Sequence, residues 1–206
     1  ELSEKYQTDP DSLLSTAALV SRRLAEAGRP RPSPDLPDLE AIRLSVESLS
    51  TQFDQTWGGW GKAPKFPRSA LIELMLRHHD ISGDTHALEM AAITLTKMAK
   101  GGLYDQIGGG FHRYSTDRTW LVPHFEKMLY DNAQLATSYT QAWTVTKDPL
   151  YEQVARETLD YIIKEMTAPN GSFYSATDAD SDTPDGHQEE GYFFTWTDHD
   201  LKQHLT

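Results

Sequence analysis

The octapeptide FDQTWGGW at residues 53–60 aligns without gaps to YDQIGGGF at residues 104–111, placing Asp54 over Asp105, Gln55 over Gln106 and the glycine-aromatic ends over each other. A weaker third copy, NGSFY, follows at 170–174. Recurrence of one helical pair plus one glycine-aromatic loop is the sequence sign of stacked hairpin units. Glycine pairs also end helices for purely local reasons, but here the Asp-Gln pair ahead of the glycines repeats as well.

The segments between these loops carry helical periodicity. Asp9 as N-cap and Pro10 in the first turn open a helix with Leu13, Leu14, Ala17, Ala18 and Leu24 at helical spacing, ending at Gly28. The stretch RPRPSPDLP then reads as a stiff, extended linker. Further helices are expected over 36–56, with Leu39, Ile42, Val46, Leu49 and Phe53 on one face, and over 69–82. Others are expected from Gly83-Asp84 to the Gly101-Gly102 stop, over 124–146, and over 149–167. Between 172 and 196 the pattern changes to short β-like runs, GSFYSAT and GYFFTWT, around an acidic loop. A last helix, capped by Thr197 or Asp198, is cut off in its second turn, and the chain opens without Met, so it reads as a piece of a longer protein. The expected fold is all-α, an array of antiparallel helix pairs with long glycine-aromatic connections and a short β-hairpin near 172–196. Residues 1–34 form a lead-in helix and Pro-rich linker, and residues 35–206 the array.

Composition narrows the partners. A formal net charge of −12, with 19 scattered Lys and Arg, disfavours nucleic acid and anionic membranes. No apolar run approaches membrane-spanning length, and no signal peptide opens the chain, so a cytoplasmic, soluble domain is expected. The absence of cysteine excludes disulfides and thiol chemistry within this segment.

Three strings, GGWGKAPKFP, GGGFHRYSTDRTWLVPHFEKMLYDNAQL and the split element DADS with EEGYFFTW, resemble a known family. It is the thioredoxin-domain-containing family that includes the spermatogenesis-associated protein and its bacterial YyaL-like relatives. The resemblance implies an N-terminal thioredoxin-like domain, absent from this chain, followed by an (α/α)6 toroid similar to N-acylglucosamine 2-epimerases and six-hairpin glycosidases. On that footing residues 35–206 are the first half of the toroid, with the glycine-aromatic loops at one mouth of the ring. TPDGHQ at 183–188 departs from the pattern as an insertion between the DADS and EEG elements.

Sugars present flat apolar faces edged with hydroxyls, so their sites combine aromatics with carboxylates and amides. The loops offer Trp57, Trp60, Phe111, Tyr114 and Trp120 beside Asp54, Gln55, Asp105 and Gln106. These aromatics either face a ligand or seal the core between helix pairs. His112 follows three glycines and could exchange a proton, with Arg113 neutralising a developing oxyanion; both could equally brace loops. His124 falls at the start of the helix expected over 124–146, behind Pro123, where the positive helix end would keep it neutral. Asp131, seven residues on, would share its helical face, while Glu126, about 200° round, would join Lys127 in structural pairs.

The acidic loop DADSDTPDGHQE sets Asp178, Asp180 and Asp182 at calcium-loop spacing with Glu189 at position twelve, but Thr183 stands where the sharp turn needs glycine. Asp178 and Asp180 could instead serve acid–base work, or the loop is a solvated turn. Phosphate-loop, dinucleotide, zinc and serine-nucleophile patterns are absent, and Lys62 or Lys65 reads as a loop brace. The expected function is a carbohydrate-active, epimerase-like or glycosidase-like domain without metal or cofactor. His124, His112, Asp105 and Asp178 are the catalytic candidates, and Trp60, Arg113, Phe111, Tyr114, Asp131 and Asp54 the substrate-binding ones. The other expectation is a non-catalytic binding or scaffold domain whose partner is the thioredoxin-like domain. A half ring would also expose an apolar seam, along Leu13, Leu14 and Leu24 and along Val154, Leu159, Ile162 and Ile163, through which the chain self-associates.

Overall fold

The computed structural model describes residues 2–29 and 38–205, and the chain divides into two compact units, residues 1–38 and residues 39–206. The linker expected at 29–37 lies almost wholly outside the described residues. In the first unit α1 (Leu2–Thr8) precedes α2 (Pro10–Ala27). Asp9 caps α2 as its spacing predicts, its Oδ1 accepting from the Ser12 N–H at 3.2 Å, with Pro10 in the first turn. Helix α1 was not expected from the sequence. Leu14, Leu19, Val20 and Leu24 of α2 are exposed.

The second unit is built from two helical hairpins. Helices α4 (Ser69–Ser82) and α5 (Thr85–Ala99) follow α3 (Leu39–Ser50), and α6 (Leu129–Thr146) is joined to α7 (Pro149–Glu165). The turn between α4 and α5 works as its sequence implies. Gly83 takes φ +76°, a left-handed cap that glycine adopts without a Cβ penalty, and Asp84 Oδ1 accepts from the His86 N–H at 2.9 Å. Asp148 repeats the device for α7, accepting from the Leu150 N–H at 2.9 Å. Helix α4 lies beside α6 and α5 beside α7, so the hairpins stack laterally in two layers. The core between them holds Ile72, Met75, Met90, Leu95, Met98, Leu103, Phe111, Trp120, Leu135 and Tyr139.

Because the two-residue turns lie at one end of the hairpins, the three long connections gather at the other. There they cross-link. Lys65 bridges Ser115; β1 (Tyr114–Ser115) pairs with β2 (Pro123–His124); and β3 (Lys127–Met128) pairs with β4 (Ala176–Thr177). An acidic hairpin, β5 (Asp180–Asp182) against β6 (Gln188–Glu190), follows, then a 3-10 turn at Tyr192–Phe194 and α8 (Asp198–His204). Thr197 caps α8 in a reciprocal box with Asp200.

Several boundaries differ from the sequence reading. The helix expected over 36–56 stops at Ser50, and Phe53 is buried in the loop beyond it. The helix expected from 124 starts at Leu129, because residues 123–128 spend their backbone hydrogen bonds on β1 and β4. The run GYFFTWT is the 3-10 turn and its exit rather than a strand, and the hairpin is made by the acidic residues themselves. Val154 and Ile162, expected in an apolar seam, are buried, whereas Leu159 and Ile163 are exposed.

Candidate functional site

The repeated octapeptides fold into the same loop. Phe53 bridges Trp60 and Tyr104 bridges Phe111. In the first copy the Asp54 N–H donates to Gly59 O at 2.9 Å and the Gly58 N–H to Asp54 O at 2.7 Å; in the second Asp105 and Gly110, then Gly109 and Asp105, make the same bonds at 3.0 Å. Each Asp folds over its own turn, Asp54 Oδ1 accepting from the N–H groups of Thr56 and Trp57, and Asp105 Oδ1 from those of Ile107 and Gly108. The NGSFY copy is one residue shorter, Thr167 bridging Phe173, and Ala168 stands where the other loops have Asp.

Each Asp also anchors a buried lysine. Lys65 Nζ meets Asp54 Oδ2 at 3.2 Å and lies 4.8 Å from the centre of the Trp120 ring; Lys127 Nζ meets Asp105 Oδ2 at 2.8 Å and lies 4.3 Å from the Tyr161 ring. Lys65 and Lys127 are 0% and 1% exposed, so their charges persist only because carboxylate, carbonyl and aromatic faces replace water. Burial pulls both ammonium groups below the ordinary lysine range, against the opposing pull of the paired Asp. Burial likewise pushes Asp105 up, but Lys127 and the turn N–H groups outweigh it and keep the carboxylate below its ordinary value. Burial pushes Asp54 up too, but Arg118, through bonds of 2.6 and 2.8 Å, the Trp57 N–H and Lys65 hold its carboxylate well below the ordinary range. Asp54 and Asp105 are therefore fixed anions that organise the connections.

Two cavities open beside the second loop. One, of 390 Å³, is lined by Asp105, Gln106, His112, Phe125, Phe194 and Trp196 among others; the second, of 310 Å³, by Asp105, Lys127, Tyr161, Glu165, Asp178 and Phe194 among others. Phe194 belongs to both, its ring 4.8 Å from His112, 5.7 Å from Phe125 and 5.0 Å from Lys127 Nζ. His112 is buried, and its Nδ1 lies 2.9 Å from Phe125 O. A carbonyl only accepts, so Nδ1 carries the proton and Nε2 is left as the ring's acceptor, without a hydrogen-bond partner among the described residues. Burial, then the Lys127 charge, lower the His112 pKa to about 4 and keep the ring neutral.

His124 and Arg113 form a different cluster. His124 Nδ1 meets Glu190 Oε1 at 2.7 Å, its Nε2 lies 3.6 Å from Glu126, and its ring stacks on Tyr114 at 5.0 Å. Arg113 binds Glu126 at 2.8 Å, as the expected structural role of Glu126 requires. Asp131, in the first turn of α6, has its pKa raised by burial to about 6, Arg113 opposing and Glu126 adding to the rise. His124 sits on a strand, so the argument from a helix N-terminus, and from a helical face shared with Asp131, does not hold.

Of the residues singled out in the sequence, the structure brings His112, Asp105 and Asp178 to the two adjoining cavities. It gathers His124, Arg113, Tyr114 and Asp131 near Glu126 and Glu190, lining neither cavity. Trp60 and Phe111 are core residues, Trp60 Nε1 donating to Leu49 O at 3.0 Å and Phe111 stacking on Tyr139 at 5.4 Å. Sequence reasoning missed Lys127 as the partner of Asp105 and Phe194 as the shared wall. The signal for Lys127 was its likeness to Lys65, obscured by a different distance from the repeated loop. Among the described residues no group of three or more His, Asp or Glu is arranged to hold a metal ion, and no helix is long and apolar enough to cross a membrane.

No family model matches the chain. Human spermatogenesis-associated protein 20 is 37% identical over 214 residues, which cover 99% of this chain and 27% of that protein. The chain thus spans about a quarter of the length of this homologue. Among solved structures, cellobiose 2-epimerase from Bacillus thermoamylovorans matches with a TM-score of 0.60 at 13% identity, over 68% of this chain and 40% of the epimerase. An unsaturated glucuronyl hydrolase specific for heparin matches with a TM-score of 0.56 at 14% identity, over 67% of this chain and 42% of the hydrolase. Both likenesses concern the fold, a mostly helical frame of the α/α toroid kind.

Proposed function

We propose that this chain, homologous to one stretch of spermatogenesis-associated protein 20 and folded like a sector of an α/α toroid, forms a carbohydrate-active site in a longer protein. The observation that carries the reading is His112, a neutral, buried imidazole with a fixed tautomer on the wall of an aromatic-lined cavity. Its Nε2 can accept a hydrogen bond from a sugar hydroxyl or take up a proton as the general base of an epimerase-like or glycosidase-like step. Asp105, ion-paired with Lys127, lies on the same wall, and Asp178, exposed and lining the adjoining cavity that shares Phe194, is the candidate for a second acid–base group. His124, Arg113, Tyr114 and Asp131, which line neither cavity, have no part in this step. The proposal includes, on the strength of the sequence resemblance, a thioredoxin-like domain elsewhere in the protein as this domain's neighbour, and a cytoplasmic location in keeping with the chain's composition.

The test is proton exchange at sugar carbons by the full-length protein in deuterated water, followed by NMR over a panel of free sugars. Replacement of His112 by Asn, which keeps a donor toward Phe125 O, should lower exchange by roughly 10²–10⁴-fold. Sugar binding with no exchange, and with no change in the His112→Asn variant, would replace the catalytic reading by a binding or scaffold role.

A further inference from the structure

The 390 Å³ cavity is lined by apolar and aromatic side chains and a few polar ones. Among the described residues no Lys or Arg lines it. The neighbouring cation, Lys127, is spent on Asp105 Oδ2 and on Gly109 O at 2.8 Å, with the Phe194 ring over it. Arg113 is turned toward Glu126. Side-chain donors on the wall are also used internally. The Gln106 amide donates to Ala99 O, Gly101 O and Tyr104 O; the Tyr104 hydroxyl donates to Glu157; and the Thr195 hydroxyl donates to Gly191 O at 3.0 Å. Among the side chains, what remains for a ligand is His112 Nε2, the Thr195 oxygen and the Lys127-paired Asp105 carboxylate, all acceptors, with the Trp196 indole as a neutral donor at the rim.

Such a wall matches hydroxyl groups, which bring hydrogens, and mismatches phosphates and carboxylates, which bring lone pairs and a negative charge that no free cation on the wall can pair with, Asp105 and Lys127 already neutralising each other. We infer that this cavity selects uncharged sugars and discriminates against phosphorylated and uronic ones, an inference that rests on the carbohydrate reading. Phe125, Phe194 and Trp196 offer apolar faces to the C–H side of a pyranose, while an anion gains nothing from them.

The experiment is titration calorimetry of the full-length protein with glucose, mannose and cellobiose, and with glucose 6-phosphate, mannose 6-phosphate and glucuronate. At least one neutral sugar should bind about tenfold or more tightly than its anionic counterpart, the scale of one charge left without a partner at a partly wet site. Leu121 and Val122 are exposed on the rim, so Leu121→Lys and Val122→Lys should fold normally. Each should narrow the gap at least about threefold, and more so at low salt. Equal or tighter binding of the anionic sugars, or a gap unmoved by both rim lysines, would overturn the inference and leave the carbohydrate reading standing. Failure of every sugar to bind would remove both.

Discussion

His112 and Asp131 are displaced from their ordinary protonation behaviour in ways that oppose each other as the pH falls. For His112 the folded value of about 4 lies below the ordinary 6.5, so between these limits the unfolded chain binds a proton that the native chain refuses. Its contribution is full above pH 6.5 and is lost as the pH falls toward 4, with an upper bound of about 3 kcal/mol. For Asp131 the folded value of about 6 lies above the ordinary 3.8, so the native chain binds the proton first. Its contribution is full below pH 3.8 and is lost as the pH rises through 6. Urea unfolding between pH 7 and pH 4.5 separates the two. His112→Asn should gain stability relative to the parent as the medium is acidified, and Asp131→Asn should lose it. Parallel curves for both variants and the parent would mean that neither group is perturbed as its surroundings imply.

At the scale of the loops, the glycines differ in what their missing Cβ spares. Gly110 has φ +75°, and a Cβ there would come within 2.5 Å of the Tyr161 ring; Gly171, in the third copy, has φ +84° but open space around it. Alanine at Gly171 should cost the backbone penalty alone, about 1–2 kcal/mol. Alanine at Gly110 should cost about 1–3 kcal/mol more, because Tyr161 packs over Lys127 and has little room to yield. Equal denaturant midpoints for the two variants would deny the close approach. The loops themselves were legible, since an Asp folded over its own turn and glycines at positive φ leave a spaced residue pattern. Their cross-links were not. Asp54 and Lys65 are 11 residues apart, Asp105 and Lys127 are 22, because the second connection also contains the β1–β2 excursion. That insertion hid the equivalence of the lysines, and Pro123 within it imitated a helix start. The site was legible in part for the same reason. His112 follows the repeated glycines directly, whereas Phe194 reaches it from a segment whose aromatic run suggested a strand.

At the scale of the molecule, lateral stacking is the rule that builds the array, and one lateral face is left over. The α4–α5 hairpin is covered by α6–α7, but the far side of α6–α7 carries a shallow apolar groove of 530 Å³ lined by Leu129, Ala133, Ala136, Leu159, Ile162 and Phe173. Leu159 is 47% exposed and Ile163 beside it 67%. Hairpin repeats gain much of their stability from the interface with a neighbour, so an apolar flank of this kind is completed by another hairpin of the same design. A polypeptide of these 206 residues alone is expected to complete it with a second copy, and light scattering at micromolar concentration should report a mass above 23.2 kDa. Leu159→Glu together with Ile163→Glu should return the monomer without loss of helix, since both side chains already face water while Tyr151, Val154 and Ala155 hold α7 to the core. A parent chain that stays monomeric throughout would show this flank to be tolerated in water, and would assign the groove no part in assembly.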